Sequence, residues 1–152
     1  MAEPDAAASV DIAAPPERVY GLITDLTSYT EIAAETAKIS WRKGDSAAVG
    51  NVFAGKNDNG KRKWTTKCRI TDADGSRFGF DVTSYSIPVS HWEYVITPTA
   101  TGCQVTESSW DRRPGWFRKP AEMYTMSPNR VGKNQTNIEA TLGRLKAKAE
   151  AS

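Results

Sequence analysis

One carboxyl group and one phenol in the predicted strands have the side-chain types needed for acid–base chemistry. Glu107 follows Val105 by two positions in a strand-like segment, so both side chains point to one face of a sheet. If Val105 faces the core, Glu107 is a buried carboxyl whose pKa is raised, and it could act as a general acid or base. Tyr94, on the preceding predicted strand, could place a hydroxyl beside an enolisable carbon. Glu107 and Tyr94 are therefore our catalytic candidates.

Two other interpretations of Glu107 remain open. The carboxylate could instead be paired with another inward polar group, for which the candidates are Asn57, Thr66 and Asn134. In the opposite strand register, Glu107 would be a surface charge. The register of this strand therefore decides whether the group has unusual acidity.

Aromatic side chains recur on the predicted inner face of the strands. Alternation puts large rings such as Trp64, Phe80 and Trp92 on this face, together with a few polar groups. Such a mixture is the usual lining of a small-molecule pocket. The predicted ligand-binding residues are Trp41, Phe53, Asn57, Trp64, Thr66, Phe80, Trp92, Tyr94, Glu107, Ser109, Gln135 and Ile138. The alternative is that the rings fill an ordinary core.

The elements that position this lining are a strand-rich middle and a long helix after it. Residues 9–12 alternate as a short first strand, the prolines of 14–17 begin a helix, and 31–37 could form a second helical piece. About six strands with period-two alternation follow. Apolar residues at steps of three and four over 127–149 predict a helix roughly 33 Å long, with Ser127-Pro128 as its start signal. Because a one-sided helix needs a sheet to lie on, we predict an α+β domain with a curved antiparallel sheet of about seven strands.

Two segments between these elements are predicted to be loops. They are 87–89, which contains Pro88, and 111–120, in which Trp116 and Phe117 stand among four cations. The two rings could gate the cavity or contact an anionic lipid surface. Our favoured interpretation is that they tuck under the long helix as a small satellite core.

Composition and isolated motifs argue against several classes of function. A formal charge of +2 over 152 residues is too small to indicate a nucleic-acid partner, and no apolar run reaches the ~18–20 residues of a membrane span. Residues 55–61 read G-x-x-x-x-G-K, but Arg62 stands where a phosphate-binding loop needs Ser or Thr. His91 is the single histidine and is predicted to point outward without a triad. We therefore expect no metal and no cofactor.

The chain is predicted to form one domain over 9–150, preceded by a disordered tail over 1–8. That tail is acidic and alanine-rich and lacks the basic region and apolar core of a signal peptide. Cys68 and Cys103 have no short spacing, so we interpret them as buried hydrophobic residues or free thiols. We expect a cytoplasmic protein without stable membrane insertion.

Six stretches of the sequence together carry a family resemblance. They are 14–20 (APPERVY), 25–27 (DLT), 50–55 (GNVFAG), 62–68 (RKWTTKC), 78–82 (FGFDV) and 105–108 (VTES). The chain resembles the polyketide cyclase/dehydrase and lipid-transport superfamily (SRPBCC, START-like or Bet v 1-like), and in particular its small actinobacterial branch. The resemblance implies a helix-grip fold with two short helices after the first strand. Members of this branch often carry Trp and Pro where this chain has Ile32 and Ala34, which implies a differently shaped cavity entrance.

The expected function is binding of a hydrophobic small molecule, lipid-like or polyketide-like, between the sheet and the long helix. Because the implied fold hosts carriers, receptors, cyclases and cochaperones, the resemblance alone does not choose among them. Two alternatives remain open. One is an aromatase/cyclase-type enzyme that uses Tyr94 and Glu107, and the other is a cochaperone-like protein that acts through its outer surface.

Overall fold

The computed structural model describes residues 3–34, 36–126 and 129–151 of the chain. Strands and helices follow one another there in the predicted order, with one additional helix before the last. They are β1 Ala6–Ile12, α1 Pro16–Thr24, α2 Leu26–Ile32, β2 Thr36–Lys43, β3 Val52–Asp58, β4 Lys63–Ala73, β5 Arg77–Ser84, β6 Ile87–Thr99, β7 Gly102–Asp111, α3 Gly115–Thr125 and α4 Arg130–Glu150.

The seven strands form one antiparallel sheet in the order β1-β7-β6-β5-β4-β3-β2. From β2 to β7, strands that are consecutive in the chain are neighbours in the sheet. The β4–β5 turn shows why they pair locally: Gly75 takes a φ of 93°, and the Asp74 carboxylate accepts the N–H groups of Ser76 and Arg77. β1 instead pairs with β7 at the far edge. The α+β helix-grip prediction is confirmed.

Helix α4 supplies one wall of the core. Its buried face includes Ile138, Leu142, Leu145 and Ala149, which join the inner side chains of the sheet in one cluster. The helix begins after Asn129, whose side chain accepts the N–H of Gly132. The predicted start signal at residues 127 and 128 lies outside the described residues. No helix in the described part of the chain is long and apolar enough to cross a membrane.

The first strand and the second helix differ from their predicted limits. β1 begins at Ala6, and Ala6 to Ala8 pair with Ser109 to Glu107, so 6–8 are not part of a disordered tail. Alanine is a weak strand former by itself, and here pairing with β7 overrides that preference. α2 covers Leu26–Ile32 and not 31–37. Asp25, taken as part of a helix break, is the N-cap of α2, because its Oδ1 accepts the Thr27 N–H at 3.1 Å.

Both predicted loops contain regular structure. Residues 87–89 form the start of β6, where Pro88 pairs with Thr83 beside a register irregularity in β5–β6. Such irregularities tolerate a proline, which has no N–H to donate to the ladder. Residues from Gly115 onward form α3, which starts directly after Pro114. The predicted loop at 111–120 is therefore wrong from residue 115 onward: Pro114 is the N-cap of the helix and Pro120 lies within it.

Candidate functional site

A cavity of about 830 Å³ lies between the sheet and helices α2, α3 and α4. This volume falls in the range of pockets that hold drug-sized molecules. Seven of the twelve predicted binding residues line the cavity: Phe53, Asn57, Trp64, Thr66, Phe80, Trp92 and Glu107. The aromatic rings therefore surround an internal space instead of filling it completely.

Glu107 forms part of the cavity wall, although only 2% of the residue is exposed. Val105 and Ser109 on the same strand are also buried, so β7 has the register that turns Glu107 inward. Burial raises the pKa of Glu107 to about 8, and the hydrogen bond with Tyr94 only partly offsets this effect. The oxygen Oε1 has no hydrogen-bond partner among the described residues. At neutral pH the carboxyl group is therefore mostly protonated, and its Oε1 is a buried acceptor without a partner among the described residues.

Two tyrosine hydroxyls extend from Glu107 into the core. Tyr94 lies opposite Glu107 in the β6–β7 ladder, is fully buried, and places its hydroxyl 3.1 Å from that of Tyr29. Burial, and after it the charge of Glu107, raises the pKa of both phenols. Both hydroxyls therefore stay protonated at neutral pH. Tyr29, Tyr94 and Glu107 form one hydrogen-bonded row with its carboxyl end at the cavity.

Tyr29 is a cavity-lining residue that the sequence analysis missed. The segment around it was interpreted as the end of the first helix, whereas Tyr29 lies inside α2 and is buried together with Ile32. The signal was present, because Leu26, Tyr29 and Ile32 recur at three-residue steps after the capping Asp25. Tyr29 also packs edge-on against Phe80 and Tyr94, with ring centroids 6.5 and 6.2 Å apart.

Asn57 and Thr66 form a second polar group on the wall. Nδ2 of Asn57 donates to Oγ1 of Thr66 at 3.1 Å, and Oγ1 of Thr36 donates to Oδ1 of Asn57 at 3.2 Å. Because these side chains satisfy one another, the suggested pairing of Glu107 with Asn57 or Thr66 does not occur. Asn134 lines the cavity as well.

The remaining predicted binding residues lie outside the cavity lining. They are Trp41, Tyr94, Ser109, Gln135 and Ile138. Trp41 packs edge-on against Phe53 and borders a separate depression beside α1. Ser109 and Ile138 belong to the closed core. Gln135 binds the main chain of Ala7 instead, because its Oε1 accepts the N–H at 3.0 Å and its Nε2 donates to the carbonyl at 2.9 Å.

Helix α3 borders the opening of the cavity. Phe117, Ala121 and Tyr124 line the cavity from this helix, and Tyr85 of the β5–β6 turn stands opposite with 95% of its surface exposed. Trp116 is 68% exposed, so the predicted satellite core under α4 is wrong for this ring. No residue of α3 is fully buried. The helix is therefore held only loosely by packing.

A buried ion pair anchors the start of α3 to the end of β7. Arg113 donates from Nε and Nη2 to the two carboxylate oxygens of Asp111, at 3.0 and 2.8 Å. Burial opposes ionisation of Asp111, but the hydrogen bonds from Arg113 prevail and hold the pKa of Asp111 below its usual value. The bidentate geometry fixes the direction in which the chain leaves the sheet.

The cavity contains no cluster of metal-ligating side chains in the part of the chain that the structure describes. The group of histidine and acidic side chains found close together there consists of Asp72, His91 and Glu93. None of these three residues lines the cavity. Inside the cavity, Glu107 offers hydrogen bonding and proton transfer beside aromatic surfaces.

An antiparallel sheet curved around a long helix, with an enclosed cavity, defines an α+β domain of the helix-grip class. The sequence matches the family described as "Polyketide cyclase / dehydrase and lipid transport" over residues 3–150. The chain therefore belongs to this family; the match does not resolve a branch within it. No curated protein matches the sequence.

Solved structures with the same fold include proteins of several kinds. A Polyketide_cyc-like protein of Corynebacterium glutamicum is 28% identical, with a TM-score of 0.63 over 99% of this chain and 94% of that one. The di-domain ARO/CYC BexL from the BE-7585A biosynthetic pathway is 16% identical, with a TM-score of 0.73 over 96% of this chain and 50% of BexL. The di-domain ARO/CYC StfQ from the steffimycin pathway is 13% identical, with a TM-score of 0.71 over 95% of this chain and 49% of StfQ. At such low identities, BexL and StfQ show only that the fold is shared.

Proposed function

We propose that the protein binds a hydrophobic small molecule of polyketide-like chemistry in the internal cavity. The observation that carries this proposal is Glu107, a buried and mostly neutral carboxyl group in the lining of a large cavity, one oxygen of which has no hydrogen-bond partner among the described residues. A neutral carboxyl donates a hydrogen bond to a carbonyl or phenolic oxygen without leaving a charge buried. The membership of the family and the shared fold of the ARO/CYC neighbours support the same ligand class.

The wall favours an oxygen-bearing ring system over a simple acyl chain. Trp64 and Trp92 present aromatic surface to the cavity. Phe53 and Phe80 also line it, and they pack edge-on against each other with ring centroids 5.3 Å apart. Flat rings stack well on such surfaces. An acyl chain could fill the same space, but only its terminal carboxyl group could pair with Glu107. A lipid-like ligand is therefore the less favoured member of the expected class.

An enzyme of the cyclase type is the second candidate, and the acidity of Glu107 favours it. A pKa of about 8 lies close to physiological pH, where a group can both accept and return a proton. Tyr94 and Tyr29 continue the hydrogen-bonded row behind the carboxyl and would stabilise its charge when it ionises. A cochaperone-like protein that acts through its outer surface needs no internal cavity, so the cavity gives this alternative no support.

Native mass spectrometry of protein purified from cells, followed by organic extraction, tests whether a ligand is bound. Titration with a hydroxylated anthraquinone, and separately with a long-chain fatty acid, then compares the two chemistries through quenching of Trp64 and Trp92 fluorescence. Val82→Phe places a ring in the cavity wall, and Val49→Phe adds the same ring at a position that is 66% exposed. We expect Val82→Phe to weaken anthraquinone binding at least about tenfold, which corresponds to ~1.4 kcal/mol, and Val49→Phe to leave it unchanged.

Equal binding by Val82→Phe and the unchanged protein would contradict a ligand site in this cavity. Preference for the fatty acid would move the ligand class to lipids. Glu107→Gln separates carrier from enzyme, because an amide still donates a hydrogen bond but cannot exchange a proton. Retained binding with loss of any cyclisation of a poly-β-ketone thioester would identify the enzyme.

A further inference from the structure

His91 is buried on the face of the sheet opposite the cavity. Ser90 and Trp92 line the cavity, so the alternating residues His91 and Glu93 point to the outer face. His91 is nevertheless only 3% exposed. Its Nδ1 lies 2.7 Å from Oδ1 of Asp81, while its Nε2 has no hydrogen-bond partner among the residues described. A buried ring nitrogen without a partner is costly and calls for a physical explanation.

Two carboxylates approach this nitrogen because of a bulge and a glycine. The ladder between β4 and β5 shifts register between Ile70 and Asp72, and the shift places Asp72 opposite Gly79. Gly79 in turn lies opposite Glu93, so the Asp72 and Glu93 side chains flank a position that has no side chain. A Cβ at Gly79 would lie 2.9 Å from Oδ2 of Asp72. The glycine therefore opens the space into which the Asp72 carboxylate leans.

We propose that Asp72, His91 and Glu93 form a binding site for a divalent transition-metal ion, with Zn²⁺ as the best match. One ligand atom from each residue lies within 4.8 Å of the other two. Around a tetrahedral Zn²⁺ with bonds of about 2.1 Å, such atoms stand about 3.4 Å apart. Rotation of the Asp72 and Glu93 carboxylates would bring the ligand atoms from separations of up to 4.8 Å to this shorter distance. One imidazole with two carboxylates suits a borderline ion better than Ca²⁺ or Mg²⁺, which take oxygen ligands.

The residues around the site complete the arrangement expected of a bound metal. Asp81 accepts from Nδ1 of His91, which keeps the Nε2 lone pair free, as carboxylates behind metal-binding histidines do. Arg69 and Arg112 pair with the same Asp81 and hold it in place. Nη1 of Arg77 lies 3.2 Å from Oε1 of Glu93. The other carboxylate oxygen of Glu93 is therefore the one that would bind the metal ion. Three protein ligands leave a fourth position for water.

A metal in this position would connect β4 to β6 across β5. The ion would bind the folded protein and not the separated strands of the unfolded chain, so it would stabilise the fold by mass action. With a single histidine in the sequence, no metal was expected; the three proposed ligands come from two strands, β4 and β6, with no recognisable spacing. The site is also separate from the cavity, so this proposal does not depend on the proposed ligand.

Calorimetric titration of Zn²⁺ into tag-free, chelator-treated protein under reducing conditions tests the site. We expect saturable binding of one ion per chain and a higher melting temperature with Zn²⁺. Asp72→Asn and Glu93→Gln keep the side-chain shapes and remove ligand charge. Each is expected to weaken binding by more than the ~10–100-fold typical of residues behind the ligands. Asp45→Asn, which changes an exposed carboxylate in the β2–β3 loop, is the matched control and should bind as the unchanged protein does.

Two further measurements keep the test decisive if a variant folds poorly. Gly79→Ala keeps all three ligand residues but displaces the carboxylate of Asp72, and we expect it to lose affinity while circular dichroism stays unchanged. The absorption spectrum of the Co²⁺ form should show nitrogen and oxygen ligation. A thiolate-to-cobalt band would instead assign the ion to Cys68 or Cys103 and overturn the proposal. Absence of saturable binding, or equal affinity in Asp72→Asn, Glu93→Gln and the control, would overturn it as well.

Discussion

Replacement of Glu107 by glutamine is expected to stabilise the protein in alkaline solution and to have little effect in acid. Burial raises the pKa of Glu107 in the folded state from 4.5 to about 8. Below the unfolded-state value the carboxyl is neutral in both states, so it causes no loss of stability. As pH rises from 4.5 to 8, the unfolded chain releases the proton while the folded protein retains it, and stability falls. Above pH 8 the loss is complete.

The size of this loss follows from the same two values. At ~1.4 kcal/mol per pH unit, the difference between 4.5 and about 8 corresponds to about 5 kcal/mol. Relaxation of the protein around the buried charge reduces this figure, so we expect a gain of about 2–5 kcal/mol for Glu107→Gln at alkaline pH. A change of that size is a large fraction of the stability of an ordinary domain.

Urea unfolding of both proteins between about pH 5 and about pH 9.5 measures the effect. The difference in the free energy of unfolding should be smallest at the acid end, below about 1 kcal/mol, and grow through the neutral range. Other groups with shifted pKa values, such as Asp74 and Glu150, are common to both proteins and cancel in the difference. A difference that stays constant with pH would refute the assignment of a raised pKa to Glu107. A direct NMR titration of its carboxyl carbon provides an independent check.

Three further outcomes follow from buried contacts. Burial raises the pKa of Cys68 from 9.0 to about 12. Alkylation of this thiol, followed by mass spectrometry, should therefore be about 1,000-fold slower in the folded protein than in urea. Comparable rates in the two states would contradict this prediction. Gln135→Ala removes two hydrogen bonds to Ala7 and should lower the free energy of unfolding by about 1–3 kcal/mol, whereas the exposed Lys133→Ala should have almost no effect in the same urea assay. Leu142→Ala, at a position 2% exposed, should cost about 2–5 kcal/mol by calorimetry, and a loss below 1 kcal/mol would show that the helix is not packed as described.

The alternation of side chains was enough to predict the sheet and the long helix. In β4, for example, Thr66, Cys68 and Ile70 are buried and the lysine and arginine between them are exposed, as a half-buried strand requires. The inward orientation of Glu107 followed from Val105 in the same way. The side of the sheet that each of these side chains faces follows from the two-residue repeat of a strand, so it could be predicted from a single sequence.

Features that depend on contacts between distant segments could not be predicted in this way. Gln135 has the spacing of a cavity residue, but the pairing of β1 with β7 brings Ala7 within its reach. Trp41 has the alternation of a lining residue, yet Phe53 stands between it and the cavity interior. The partner of Tyr94 is Tyr29, 65 residues away in the chain. Such placements follow from tertiary packing and not from periodicity.

The position of β1 beside β7 has a consequence for how the chain folds during synthesis. Ile12 pairs with Cys103, so β1 stays without its partner strand while β2 to β6 are synthesised. At ~5–20 residues per second, this wait is roughly 5–20 s on a ribosome. Pairings between such distant segments close large loops and slow folding. Until β7 has been made and β1 has docked on it, the unpaired β1 stays open to strands of other chains, and the nascent protein is most exposed to aggregation in that interval.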